Sequence, residues 1–369
     1  MDRFYALCGL LVAISLTQTS HAQSPSEPER IYSGSLSQTK TYMHQFVDSP
    51  DGSKYAFRYF PGEDQPKGRK GSASPCEIWI CNSDLTGHYK AFTSSIGEGG
   101  HGSSVIAWVT DDLIFYGGVS FQLSTREIRW KFEGALPVAR NTPVSPHKLY
   151  VNLRRDPERK GWYWIDPSSP SKPELRLVND MRNLVSHYGG TWEDAGATYL
   201  YQNPSDTKLY VVVYDSAKRQ EFAFVLNTDG SVHSYLGHNR VGYCANGHVL
   251  WYDDESLMAG NQKPGRFDLE GNLIEWLAPK GNHISLSHDK QWWVGDIYRD
   301  TLEVRLHRYG AEDYVVISGD VEYFGDFHPS FSRDGRYVFF QGKRASEPHP
   351  GVYRVDVSAI TQAKSSATP

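Results

Sequence analysis

The chain has 369 residues, 39% of them hydrophobic and 22% charged, a globular composition with ample material for a core. Its formal net charge of −5 excludes a global basic field for nucleic acid, so a polyanionic ligand must find a local cluster of Arg or Lys. The 23 Tyr, 16 Phe and 10 Trp, with 33 Gly and 20 Pro, favour many short strands joined by turns.

Residues 1–22 read as a signal peptide. Arg3 supplies the positive start, the stretch from Phe4 to Leu16 is apolar, and Ser20 and Ala22 stand at the positions a signal peptidase reads. That run is too short to span a bilayer, and no later run is longer. Residues 23–369 are therefore expected to form one secreted or periplasmic domain, a monomer without membrane or nucleic-acid partners. Three cysteines follow the expected cleavage site: Cys76, Cys81 and Cys244. A local Cys76–Cys81 bridge is one option, but their odd offset along a strand points the two side chains to opposite faces.

Further along, one phrase recurs: a His, an alternating strand, a "SPDG"-like turn, then an aromatic strand. It is clearest in "HQFVDSPDGSKYAFRYF" from His44, "HISLSHDKQWWVGDIY" from His283 and "HPSFSRDGRYVFFQG" from His328. "NTPVSPHKLYVNL" carries Asn141 in the His position, and looser copies begin at His101, His187 and His238. Starts at 44, 101, 141, 187, 238, 283 and 328 give a period near 40–50 residues. That is the signature of four short strands per unit. The fold class expected is all-β, a seven-bladed β-propeller. The last unit lacks a fourth strand, and Arg30 to Ser37 ("RIYSGSLS") is expected to supply it, closing the ring with an N-terminal strand. Residues 62–75 have loop composition and read as an insertion in the first blade.

Six of the 14 histidines fall at blade starts. The first strand of each propeller blade lines the channel, so repeated side chains there converge although distant in sequence. A single blade-start histidine has a plain alternative, a hydrogen bond to the neighbouring turn. As a group they suit metal binding or acid–base work. His238, His283 and His328 come from successive blades and are the best metal ligands. Asp326 shares a strand face with His328, and Cys244 offers a softer donor. Imidazoles with a carboxylate suit a divalent ion, Zn or Mn. Cys244 reads more readily as a buried core thiol, and Asp253, Asp254 and Glu255 as a solvated acidic run.

"HPSFSRDGRYVFF" and "HISLSHDKQWWVGD" resemble phrases of the oligogalacturonate lyase family and of related propeller polysaccharide lyases, including secreted ulvan lyases. The likeness is best from His238 to Val355. It implies β-elimination on a uronic-acid sugar, a metal at the channel mouth, and Arg, His or Tyr as acid and base. The last metal motif of the pectin-cleaving members reads His-Pro-His-Pro. Here Asp326-Phe327-His328-Pro329 stands in its place, and Tyr323 stands near the position of that family's ligating glutamine.

The chemistry sets its own demands. The proton at C5 of a uronate is weakly acidic, so its carboxylate must be neutralised before a base removes that proton, and an acid assists the departing O4. His101, His187 and Tyr188 are the acid and base candidates, and Arg240 the carboxylate-binding one. The substrate expected is an acidic, uronate-containing polysaccharide, ulvan- or pectin-like. The competing reading is a non-catalytic propeller that binds a glycan or a protein partner.

Overall fold

A computed structural model describes residues 24–31, 48–59, 76–94, 106–132, 147–153, 159, 161–191, 195–215, 217–238, 249–260, 263–297, 301–322, 327–347 and 351–363. Its strands form seven antiparallel sheets, each a blade of a propeller. Blade 1 contains Lys54–Tyr59, Cys76–Asn82 and Tyr89–Ser94, and an isolated bridge from Asp48 to Tyr55 marks the end of its first strand. Blade 2 contains Ala107–Thr110, Leu113–Tyr116, Val119–Gln122 and Glu127–Lys131. Blade 3 contains Leu149–Asn152, Trp162–Ile165 and Arg176–Leu177. Helix α1 (Met181–His187) leads into blade 4, with Ala195–Gln202, Lys208–Asp215, Gln220–Asn227 and Val232–His238. Blade 5 contains Val249–Trp251, Ser256–Ala259, Gly265–Asp268 and Leu273–Trp276, and blade 6 Ile284–Leu286, Trp292–Ile297, Glu303–Arg308 and Tyr314–Val316.

Blade 7 draws on both ends of the chain. Val321–Glu322 and Ser330–Phe331 both pair with Tyr337–Arg344, which pairs with Gly351–Asp356; the short helix α2 (Ser358–Ala363) follows. Glu29–Arg30 then adds to Gly351–Asp356 as the outermost strand. The expected N-terminal closure is therefore present, a little earlier than read from the sequence: pairing runs through Glu29, Arg30 and the Ile31 amide, and residues 32–37 lie outside the described residues. Arg354 fastens this seam. Its Nε donates to Glu29 Oε2 at 2.8 Å, and its Nη1 donates to Tyr55 Oη at 2.7 Å and to the Ser83 carbonyl at 2.6 Å.

Alternate residues of each second strand enter opposite cores, so the blades are buried on both faces and read as nearly continuous apolar runs. Leu209, Val211 and Val213 pack towards blade 3, while Tyr210 and Val212 pack towards blade 5. Seven such cores join successive blades. The last unites Phe339 and Val352 of blade 7 with Tyr55 and Phe57 of blade 1. A chain of cores that returns to its start is what makes the sheets a closed ring. The first strands lie innermost, since those of blades 4, 5, 6 and 7 contact one another in order.

The "SPDG" phrase has a direct physical meaning. In blades 1, 6 and 7, Ser49, Ser287 and Ser332 donate through Oγ to Asp51, Asp289 and Asp334 at 2.5–2.6 Å. Each hydroxyl also accepts the amide five residues on, from Lys54, Trp292 and Tyr337. The side-chain pair thus closes the turn between first and second strands. The fourth turn position takes positive φ, at Gly52 (71°), Lys290 (59°) and Gly335 (71°), the conformation glycine adopts without a Cβ penalty. Neighbouring turns are tied together as well, as when Asp254 of the acidic run accepts from Asn203 Nδ2 at 2.8 Å.

Cys76 and Cys81 are buried thiols that are not bridged to each other. They point into different inter-blade cores, as their odd offset requires. Burial pushes the Cys81 thiol up to about 12, so it is inert. Among the described residues no helix is long and apolar enough to cross a membrane.

Candidate functional site

Two of the expected histidines meet. His283 directly precedes the first strand of blade 6, and His328 stands just before Ser330–Phe331 of blade 7. Their ring centroids are 4.1 Å apart at 55°, and the residues are 2% and 5% exposed. Blade geometry brings them together: the first strands of blades 6 and 7 are in contact, and both residues lie four positions before the turn serine.

Each imidazole is held by a polar residue of its own blade's second strand. Asp296, fully buried, reaches His283 Nδ1 with both oxygens, at 3.0 and 2.8 Å, and Oδ1 also accepts the His283 backbone amide at 2.8 Å. The Asn282 amide lies 3.1 Å from the same nitrogen. In blade 7, Gln341 places Nε2 3.4 Å from His328 Nδ1. A carboxylate on Nδ1–H fixes the tautomer of a neutral imidazole and leaves the lone pair on Nε2, the arrangement that orients metal-binding histidines. His328 has φ 46°, a left-handed conformation that a non-glycine residue keeps only where its surroundings hold it. Strain of this kind gathers at functional sites.

The other expected residues are placed differently or not described. His187 is exposed at the C-terminal end of helix α1, eight residues before the first strand of blade 4 begins at Ala195. Tyr188 follows it and packs: its ring stacks on Tyr235 at 4.0 Å and approaches Phe224 at 5.5 Å, beside the blade 3–4 core. His238 closes the fourth strand of blade 4 rather than opening blade 5, and its side chain lies outside the described residues. His44, His101, Arg240, Cys244, Tyr323 and Asp326 lie outside them too.

Two imidazoles suit a divalent ion such as Zn or Mn. Among the described residues no group of three His, Cys, Asp or Glu side chains is placed to hold one; Cys244, Asp326 and the His238 side chain lie outside those residues. Sequence reasoning missed Asp296 and Gln341. Each is a buried polar residue ending an apolar run, in "WWVGD" and "YVFFQ", nine residues after the turn serine. That shared position was the available signal.

No family model matches the sequence, and no curated protein matches it. Solved structures do. An oligogalacturonate lyase from Vibrio parahaemolyticus aligns with a TM-score of 0.57 at 16% identity, over 89% of this chain and 93% of that one. An oligogalacturonate lyase in complex with manganese aligns at 0.57 and 14%, over 90% and 95%. A chain of a mitotic checkpoint complex aligns at 0.58 and 11%, over 96% and 100%. At such identities the likeness establishes the propeller alone, which serves enzymes and non-enzymes alike.

Proposed function

We propose that this protein is an exported polysaccharide lyase that cleaves a uronic-acid polymer, pectin- or ulvan-like, by β-elimination. The observation that carries this reading is the buried His283–His328 pair with Asp296 set on His283. The lyases among the similar structures, one of them with manganese, agree with it.

In this reading His283 and His328 hold a divalent ion, Zn or Mn, with His238, Cys244 or Asp326 completing the set. When bound, the ion supplies positive charge against a uronate carboxylate. The chain's own residues do the rest. Asp296 keeps His283 in one tautomer and orientation. Arg240 receives a carboxylate through its planar fork. His101, His187 and Tyr188 supply the base that takes the C5 proton and the acid that meets the departing O4.

The test is a panel of acidic polysaccharides followed by the ultraviolet absorbance of the unsaturated uronate that elimination creates. Pectic or ulvan-like polymers are expected to give it, and silence across the panel removes the lyase reading. A second reading, a glycan- or protein-binding propeller, draws on the exposed apolar outermost strands of neighbouring blades 5 and 6: Leu273, Ile274 and Trp276, with Tyr314 and Val316. Tight glycan binding without any product would favour it.

A further inference from the structure

The residue before the turn serine serves packing in two blades and not in a third. Blade 7 puts Phe331 there, 1% exposed in the blade 6–7 core, and blade 6 puts Leu286 there, against the blade 5–6 core. Both face the preceding blade. Blade 1 carries Asp48 at the same place, and it too faces the preceding blade: Oδ2 accepts the Arg333 amide of blade 7 at 3.0 Å. Asp48 is only 3% exposed, yet its Oδ1 has no hydrogen-bond partner. A buried carboxylate oxygen left unpaired is costly. Burial accordingly raises the pKa of this carboxyl to about 6, although the Arg333 charge opposes the rise.

Asp48 lines a cavity of about 330 Å³ where blades 7 and 1 meet. The turns of both blades form its walls, so it lies beyond the end of the blade 7 first strand opposite His328. That volume is at the small end of the range for small-molecule sites, ~300–1,000 Å³. Two further carboxylates line it, Asp84 and Asp334, and their own turns engage Oδ1 alone. The two guanidinium groups in its walls are committed to carboxylates outside it. Arg336 Nε donates to Asp356 at 2.9 Å, and Arg354 Nε donates to Glu29 at 2.8 Å. The cavity is left with unbalanced negative charge.

The carboxylates are spread along the walls and do not converge as a metal ion requires. Among the described residues no three His, Cys, Asp or Glu side chains are placed to hold one. An ammonium group carries three donors and binds a single carboxylate strongly without such convergence. A cavity of this size also has room for the body of a small molecule. We propose that the cavity binds a small organic amine through its ammonium group, with Asp48 as the receiving carboxylate. The site is separate from the His283–His328 pair and does not depend on the lyase reading.

The test is calorimetry on the full protein with four probes: glucosamine, putrescine, calcium, and glucose, which has a hydroxyl in place of the ammonium group. Wild type is expected to bind at least one of the two amines and not glucose. Asp48→Asn can still accept the Arg333 amide, so the seam should hold while amine binding weakens about 10- to 100-fold. Asp334→Asn should weaken it less, and it carries the test if thermal melts show that the first variant does not fold. Binding of glucosamine alone identifies an amino sugar as the ligand class, and binding of putrescine alone an aliphatic amine; either upholds the proposal. Glucose bound as well as glucosamine, calcium bound in place of both amines, amine affinity unchanged in the variants, or no binding of either amine overturns it.

Discussion

Blades 4 and 6 follow one plan and diverge at one place. Both have a first strand, a side-chain-closed turn and a second strand buried on both faces. In blade 4 the second strand is apolar from Leu209 to Val213 and serves two cores. In blade 6 Trp292, Trp293 and Val294 do the same, but two residues later Asp296 turns to His283. The repeat builds the scaffold, and a polar residue at one register position sets a carboxylate against a buried imidazole.

The sharpest way to break that comparison is a matched pair of substitutions. Asp296→Asn keeps the shape but removes the charge on His283. In the lyase proposed above, it is expected to lower metal retention and kcat/KM by about 10- to 100-fold, read by elemental analysis and product absorbance. Val212→Ala at the same position in blade 4 should cost about 2 kcal/mol of stability, from lost burial and the cavity left behind. Activity per folded molecule should not change. Equal activity losses in both variants would show that position nine is structural throughout.

Acid titration sharpens it further. His307 of blade 6 stacks on Trp293 at 3.9 Å, and burial, helped by the Arg305 charge, pushes its pKa down from 6.5 to about 4. The unfolded chain takes up this proton first, so the stability from His307 is full above pH 6.5 and falls as pH drops towards 4, by up to ~3 kcal/mol. Asp48 of blade 1 acts in the opposite sense. Burial raises its pKa from 3.8 to about 6, so the folded state takes up this proton first, and stability rises as pH drops from about 6 towards 3.8. Wild type should therefore show a shallow profile between about pH 4 and 6 in urea unfolding. His307→Gln should unmask a gain on acidification, and Asp48→Asn a loss. The same slope in all three proteins would contradict these assignments.

The smallest effect concerns the turns. Gly335 has φ 71°, and a Cβ there would meet open space, so Gly335→Ala isolates the backbone term, about 1 kcal/mol. Blade 6 already bears Lys290 at the equivalent place. A melt unchanged in Gly335→Ala would mean the turn relaxes.

The ring was legible because its repeat is written in side chains with one physical job: the Ser and Asp that close a turn, followed by apolar residues facing two cores. The two histidines nearest such turns, His283 and His328, were located correctly as neighbours. His187 was matched by spacing to a strand start, yet Met181, Leu184 and Val185 show the three- and four-residue spacing of a helix face, and they pack as one. His238 ends a strand because Val232–His238 continues the blade 4 sheet through two register shifts, which no pattern of residue types announces. Asp296 and Gln341 escaped notice because they stand on the second strand, where polar residues among aromatic ones look like strand ends.

The blade 7 seam has a consequence for biosynthesis. A ribosome releases Glu29 hundreds of residues before Arg354, its partner across the seam. Until the C-terminal strand emerges, the nascent protein is an open crescent with two unpaired sheet edges and an uncovered core beside Tyr55 and Phe57. The last event of folding is then the meeting of the two termini, and a stop codon placed before Gly351 should yield a product that holdase chaperones retain.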